Sequence, residues 1–193
     1  MRPFVGWNEI TLTQGRPAGT LDGCIPLDDV ALRPARTDEI EQMLALFEDE
    51  VRAGRMLPRS PNEVRATIDD WIVAAAGHEI VGCVSLVLFN DELCEVRSLA
   101  VAPACRGIGL GAALVEAALA LARRRGMRRV LTLTRAVDFF RRLGFRVDRV
   151  ARYPDKVWRD CRPCPLRHRC DEVALIYHLQ PHPSRASQKG DRA

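Results

Sequence analysis

Lysine is nearly missing from this chain of 193 residues: it occurs only at Lys156 and Lys189, so almost every cation is an arginine. Aromatic residues are also few, at 6%, and the formal net charge is a mild +4. A protein built to hold nucleic acid gathers its cations on one face and stacks bases on aromatic rings. Here the arginines are scattered along the chain, so nucleic acid is not an expected partner. No 18 apolar residues run together, which excludes a membrane-spanning helix. The opening "MRPFVGWNEITLTQGRPAG" lacks a charged stretch followed by an apolar one and a cleavage-like site. A soluble cytoplasmic protein without membrane contact is expected. The seven cysteines are an odd number, and Cys83, Cys94 and Cys105 stand singly in or beside apolar runs, where a reduced thiol packs as a small hydrophobe.

The length allows one ordinary domain with tails. Residues 1–28 carry glycine, proline and threonine with few periodic apolar positions, and are expected to be disordered or extended, with a short strand around Glu9 to Thr13. Residues 181–193 are polar and expected to be a disordered tail. Between them lies a single domain, 29–180. "VALRPA" reads as an edge strand because it holds Pro34. Thr37 reads as an N-cap, followed by one helix carrying Ile40, Met43, Leu44, Phe47 and Val51 at helical spacing and ending near Gly54. Pro61 can open a second helix. "WIVAAA" and "EIVGCVSLVLF" form a hairpin about Gly77-His78, and "ELCEVRSLAVAP" adds a neighbouring strand. A helix from near Gly109 follows, closed by Arg123, Arg124, Arg125 and Gly126 in the order that suits a helix C-terminus. "RVLTLT" is a strand, "RAVDFFRRLGF" a short helix, and "RVDRVARY" and "EVALIYHL" two more strands. The order of elements implies an α/β sheet of mixed direction.

Between the strand ending at Ala102 and the helix after it stands Arg106-Gly107-Ile108-Gly109-Leu110-Gly111. Glycines there let backbone N–H groups converge on an anion, and the positive end of the helix adds to the field. A dinucleotide-binding turn follows the first strand of its unit, whereas this one follows the fourth. The lysine that a P-loop requires is also lacking.

This arrangement, with "LAVAP" before it and "FFRRLGF" after it, resembles the pyrophosphate loop of the GNAT superfamily of acyl-CoA-dependent N-acyltransferases. "MLPRS", Glu95 in "CEVRSLAV", "LTLTRAVDFFRRLGF" and "YPDKVW" are similar to the acetyltransferase domain of bacterial N-acetylglutamate synthases. The cysteine-bearing "KVWRDCRPCPLRHRCDEVA" is similar to the short, single-domain form. The resemblance implies an α/β (α+β) fold with a central, mixed and mostly antiparallel twisted sheet, a splayed central strand pair and about four flanking helices. It also implies acetyl-CoA as cosubstrate, L-glutamate as the small-molecule partner, and direct attack of the amine in a ternary complex as the opening step of arginine biosynthesis. Pairing with a second copy of the chain stays open.

On the same resemblance, Leu99, Ala100, Val101, Arg106, Gly107, Ile108, Gly109, Leu110, Gly111, Ala112 and Phe139 would hold the coenzyme. A backbone N–H near Leu99 or Ala100 would face the developing oxyanion. Glu95 would remove the amine proton, directly or through water, although a strand-end carboxylate paired with arginine is the competing reading. Arg59, Ser60, Arg97, Thr134, Arg135 and Lys156 would surround the acceptor, since arginine forks bind carboxylates bidentately. Phe140 stands where many family members place a tyrosine acid, so departure of the thiolate is left to its own acidity or to Ser98. Cys161, Cys164, His168 and Cys170 crowd four ligand-type side chains into ten residues. Reduced structural thiols, a zinc site and a disulfide all remain open for them.

Overall fold

The computed structural model describes residues 10–11, 29–54 and 56–180. The expectations for residues 12–28 and for the tail from 181 lie outside the described residues. The first described strand, β1 (Ile10–Thr11), falls within the expected stretch and pairs antiparallel with β2 (Val30–Pro34). β2 is therefore not the outermost strand, and β1 covers only its Ala31 and Leu32. Pro34 remains compatible with the sheet because Ala35 N donates to Trp71 O at 3.0 Å. By the two-residue alternation of a strand, the proline nitrogen points away from that ladder.

The helix expected over 37–51 is broken. Thr37–Glu39 is a 3-10 turn, α1 is Ile40–Ala45, and after Leu46 and Phe47 the chain resumes as α2 (Glu48–Arg52). Thr37 is not the cap: Arg36 N donates to the Glu39 carboxylate at 2.8 Å, and Arg33 anchors the same carboxylate at 2.9 Å. The periodic residues still bury one face, since Ile40, Met43 and Phe47 share a cluster with Val64, Trp71 and Val73. α3 (Pro61–Ala66) opens at Pro61 as expected, capped by Ser60 and Glu63 in a reciprocal pair.

β3 (Trp71–Ala76), β4 (Glu79–Leu88) and β5 (Leu93–Val101) form an antiparallel meander. α4 (Leu110–Arg124) then crosses over to β6 (Arg129–Thr134), which lies parallel to β5. α5 (Val137–Arg142), β7 (Arg146–Val147), α6 (Pro154–Lys156) and β8 (Val173–His178) complete the described chain. The sheet order is β1-β2-β3-β4-β5-β6-β8-β7, and β5–β6 is its one parallel neighbour pair among the described residues. Among the described residues six α-helical segments flank it where about four were expected, because the first helix is split and α6 is a separate short turn. The strand expected over "RVDRVARY" shrinks to β7. Asp148 accepts from Arg149 N and from Tyr153 Oη, both at 2.7 Å, which turns the chain.

β5 departs from regular pairing on both of its edges. Its pairing with β6 covers Leu93↔Arg129, Cys94↔Val130 and Glu95↔Leu131 and then stops, so the two strands part beyond Glu95. On its other side, Cys83 pairs with Ala100 and Ser85 with Arg97, leaving Val84 opposite both Ser98 and Leu99. That is a β-bulge, which disrupts the ladder locally and re-aims side chains.

α4 packs across β3, β4 and β5 with Leu110, Leu114, Ala118 and Leu121 buried. Gly82 on β4 makes the close approach possible: a Cβ there would lie 2.9 Å from Leu114 Cδ1 and 3.2 Å from Ala100 O. No helix among the described residues is long and apolar enough to cross a membrane. Leu114→Ala is expected to cost about 2–5 kcal/mol, read as a lowered midpoint in denaturant unfolding. A loss below about 1 kcal/mol would contradict this packing.

Candidate active site

The glycine-rich turn follows β5 directly. Pro103–Cys105 makes a 3-10 turn with Cys105 buried, and Arg106 folds back so that its Nε donates to Val101 O at 3.0 Å. Its guanidinium also reaches Glu50 at 3.7 Å, so it fastens the loop to α2. Gly107 and Gly109 have φ of 81° and 98°, and a Cβ at either would meet nothing within 4 Å. The turn is thus open towards solvent, and glycine supplies a conformation that L side chains rarely adopt. Gly109 caps α4 without a side-chain hydrogen bond. Ala113 N returns to Gly109 O at 3.1 Å, which leaves the Leu110, Gly111 and Ala112 amides as first-turn donors with no intrahelical acceptor. A diphosphate fits this donor set. Phe139 of α5 leans on the same turn, its ring edge 3.6 Å from a Cβ built on Gly111. The parting of β5 and β6 begins on the same stretch of β5, with Leu99, Ala100 and Val101 beyond the fork.

On the other side of the bulge lies a cavity of about 200 Å³ whose walls include Arg59, Trp71, Ser85, Arg97, Ser98 and Asp160. Arg59 and Arg97 were expected around an acceptor, and Ser98 as an alternative proton donor to the leaving thiolate. Asp160 and Arg159, also in the wall, were not. They arrive on a π-helical turn, Val157–Cys161, that has no sequence signature. Arg159 is held by Leu88 O at 2.9 Å and by the Phe89 ring, 4.0 Å from its guanidinium carbon.

Behind the cavity sits a network of charges. Glu95 is 2% exposed. Lys156 Nζ donates to its two oxygens at 2.8 and 3.0 Å, and Arg97 Nε donates at 3.0 Å. Arg97 also bridges Glu95 and Asp160 through Nη2, and Lys156 reaches Asp160 at 3.3 Å. Burial works against the Arg97 charge, but Glu95 and Asp160 outweigh it and raise its pKa. Burial likewise works against the Asp160 carboxylate, yet Arg97 and Lys156 pull it down to about 2. Lys156 is buried against Glu95 and is not in the cavity wall.

The remaining expected residues stand outside this network of bonds. Ser60 is exposed, and its hydroxyl accepts Glu63 N at 3.2 Å as the cap of α3. Thr134 Oγ1 accepts Ala136 N at 2.9 Å. Arg135 pairs with Asp171 at 2.7 Å and Glu172 at 3.9 Å. Neither Thr134 nor Arg135 is in the cavity wall. Cys161, Cys164 and Cys170 are free thiols, and burial raises the Cys161 pKa. His168 Nε2 accepts Arg167 Nε at 2.8 Å. Among the described residues no group of three or more His, Cys, Asp or Glu side chains converges on a metal position, so this loop does not fit a zinc site.

The sequence profile described as the acetyltransferase (GNAT) family matches residues 35–145. An uncharacterized N-acetyltransferase of Chlorobaculum tepidum is 35% identical over 155 residues, 80% of this chain and 100% of that one. The amino-acid acetyltransferase of Mycobacterium tuberculosis is 42% identical over 67 residues, which are 35% of this chain and 38% of the relative. That of Pasteurella multocida is 28% identical over 65% of this chain and only 29% of its own length. Among solved structures, the N-acetylglutamate synthase of Neisseria gonorrhoeae with coenzyme A and N-acetyl-glutamate superposes with a TM-score of 0.72. The two are 24% identical, and the match covers 78% of this chain and 35% of that one.

Two outcomes are expected from the charge network. Lys156→Met leaves Glu95 buried with one cation fewer and should cost about 3–5 kcal/mol; adding Glu95→Gln should return a substantial part, read by denaturant unfolding of the single and double variants. Asp160 has a folded pKa below its unfolded one, so its contribution is complete above the unfolded value and is lost as pH falls through about 2. The stability gap between the wild type and Asp160→Asn should therefore be widest near neutral pH, begin to narrow below about pH 4 and close at about pH 2.

Proposed function

Because the chain belongs to the acetyltransferase (GNAT) family, we propose that it transfers acetyl from acetyl-CoA to the α-amine of L-glutamate, giving N-acetyl-L-glutamate and CoA. The class is an acyl-CoA-dependent N-acetyltransferase with acetyl-CoA as cosubstrate. The choice of glutamate, a place at the opening of arginine biosynthesis, a cytoplasmic setting and a single catalytic domain over 29–180 belong to the proposal.

One observation carries the choice of acceptor. Arg59 lines the cavity and has no hydrogen bond or ion pair within contact distance among the described residues. Its pKa is lowered by burial and then by the neighbouring charge of Arg97. A half-buried guanidinium in that position is stabilised by an incoming carboxylate. Around it, the cations Arg59, Arg97, Lys156 and Arg159 outnumber the carboxylates Glu95 and Asp160. Of two further acids in the wall, Asp70 is paired with Arg125 at 2.6 Å, whereas Glu63 caps α3 with its charge still acting on Arg59, which leaves a surplus of one cation. An acceptor with two carboxylates complements this surplus. Support also comes from the relatives named amino-acid acetyltransferase and from the synthase of like fold.

The chain's own residues then divide the work. The amides of Leu110, Gly111 and Ala112 hold the diphosphate, and the parted edge of β5 takes the arm that carries the thioester. The bulge presents backbone N–H near Leu99 and Ala100 to the carbonyl oxygen as negative charge develops there. The amine attacks directly, the C–N bond forms and the C–S bond breaks. Glu95, sealed by Lys156 and Arg97, receives the amine proton through a shared water rather than by contact. The thiolate leaves unaided, since its conjugate thiol has a pKa of about 8.5.

Free-thiol release with L-glutamate, set against aspartate, glutamine and polyamines, is the decisive assay. Glutamate should be preferred, and another amine favoured by about a hundredfold, some 2.7 kcal/mol, would sink the acceptor choice. Arg59→Ala should raise the acceptor KM roughly tenfold or more while leaving CoA affinity unchanged.

A further inference from the structure

Three hydroxyls line the acceptor cavity, those of Thr67, Ser85 and Ser98. Thr67 Oγ1 donates to Glu63 O at 3.0 Å and accepts Trp71 Nε1 at 3.1 Å. Ser85 Oγ donates to Arg97 O at 3.1 Å. Ser98 Oγ is buried and has no partner, and no other buried side-chain polar atom among the described residues shares that condition. Ser98 is also the one described non-glycine residue with positive φ, at 53°. An unpaired buried hydroxyl and a left-handed serine are both unfavourable, and such features persist where surrounding structure imposes them for a purpose. Here the bulge opposite Val84 imposes both.

The position of Ser98 decides what it meets. It adjoins Leu99, whose backbone is to face the thioester, and the attacking amine must come within about 3–3.5 Å of the thioester carbon. The carboxylates of an acceptor are drawn to Arg59 and Arg97, which leaves the amine as the group nearest a neutral hydroxyl. We propose that Ser98 Oγ accepts an N–H of the acceptor amine and so aims its lone pair at the thioester. Ser98 remains a neutral hydroxyl throughout and removes no proton. This rests on the reading of the cavity as an acceptor site for acetyl transfer.

The test uses the full chain with Ser98→Gly and Ser98→Ala. Glycine removes the hydroxyl and relieves the positive φ, so its Tm should equal or exceed that of the wild type. CoA affinity should be unchanged in both variants, while kcat/KM for the acceptor falls about tenfold or more. The wild type is assayed first against glutamate and the amine panel, and the variants are then assayed with whichever amine it acetylates. A wrong acceptor is thereby separated from a wrong role for Ser98. Wild-type kcat/KM in Ser98→Gly overturns the proposal, as does a loss that tracks lowered Tm or CoA affinity. A wild type that acetylates no amine overturns the acetyl-transfer reading and this one with it.

Discussion

The parting of β5 from β6 governs the rest of the molecule. The two strands pair in parallel only as far as Glu95↔Leu131, and the residue at the fork is itself the buried carboxylate that gathers Lys156 and Arg97. Backbone pairing ends where side-chain pairing begins. Beyond the fork, main-chain groups of β5 are released from the β6 ladder, while the charges of Glu95, Lys156, Arg97 and Asp160 hold β5 to the π-helical turn Val157–Cys161. A buried ion cluster of this kind is weak evidence for added stability. Its value here is geometric, because it fixes Arg97 and Asp160 in the cavity wall against β5.

Three separate loosenings of regular structure meet on one strand. β5 diverges from β6 on one side, bulges away from β4 on the other, and runs into a turn whose glycines leave the first amides of α4 open. Each leaves backbone donors or a side chain without its usual partner, whereas the β3–β4 ladder carries a register shift at Ala74–Ala75, away from the cavity wall. The opposite face shows why this is tolerated. Leu110, Leu114, Ala118 and Leu121 press α4 onto β3–β5 with almost no exposure, so a dense core supports an imperfect edge.

Recurrent patterns in the chain were legible for physical reasons. The glycine trio requires backbone freedom, Ser60-Pro61 with Glu63 forms a reciprocal cap, and WIVAAA against EIVGCVSLVL can only be strands sharing a buried layer. The break between α1 and α2 was not legible, because Leu44, Phe47 and Val51 keep helical spacing across a change in backbone geometry. Nor was the shortening of the strand after Gly144. Asp148 there competes for Tyr153 and Arg149 through local bonds that composition does not reveal.

By itself the sequence determined most of the order of elements, the glycine-rich turn and the family, since these depend on neighbours a few residues apart. Tertiary structure decided which charges face the cavity. Lys156, the one lysine among the described residues, turned inward to Glu95, Ser60 and Arg135 found partners elsewhere, and Asp160 and Arg159 came in from a segment some sixty residues away along the chain from Arg97. Charge pairing across such distances is selected by burial, where an unpaired ion is costly, and burial exists only once the chain has folded.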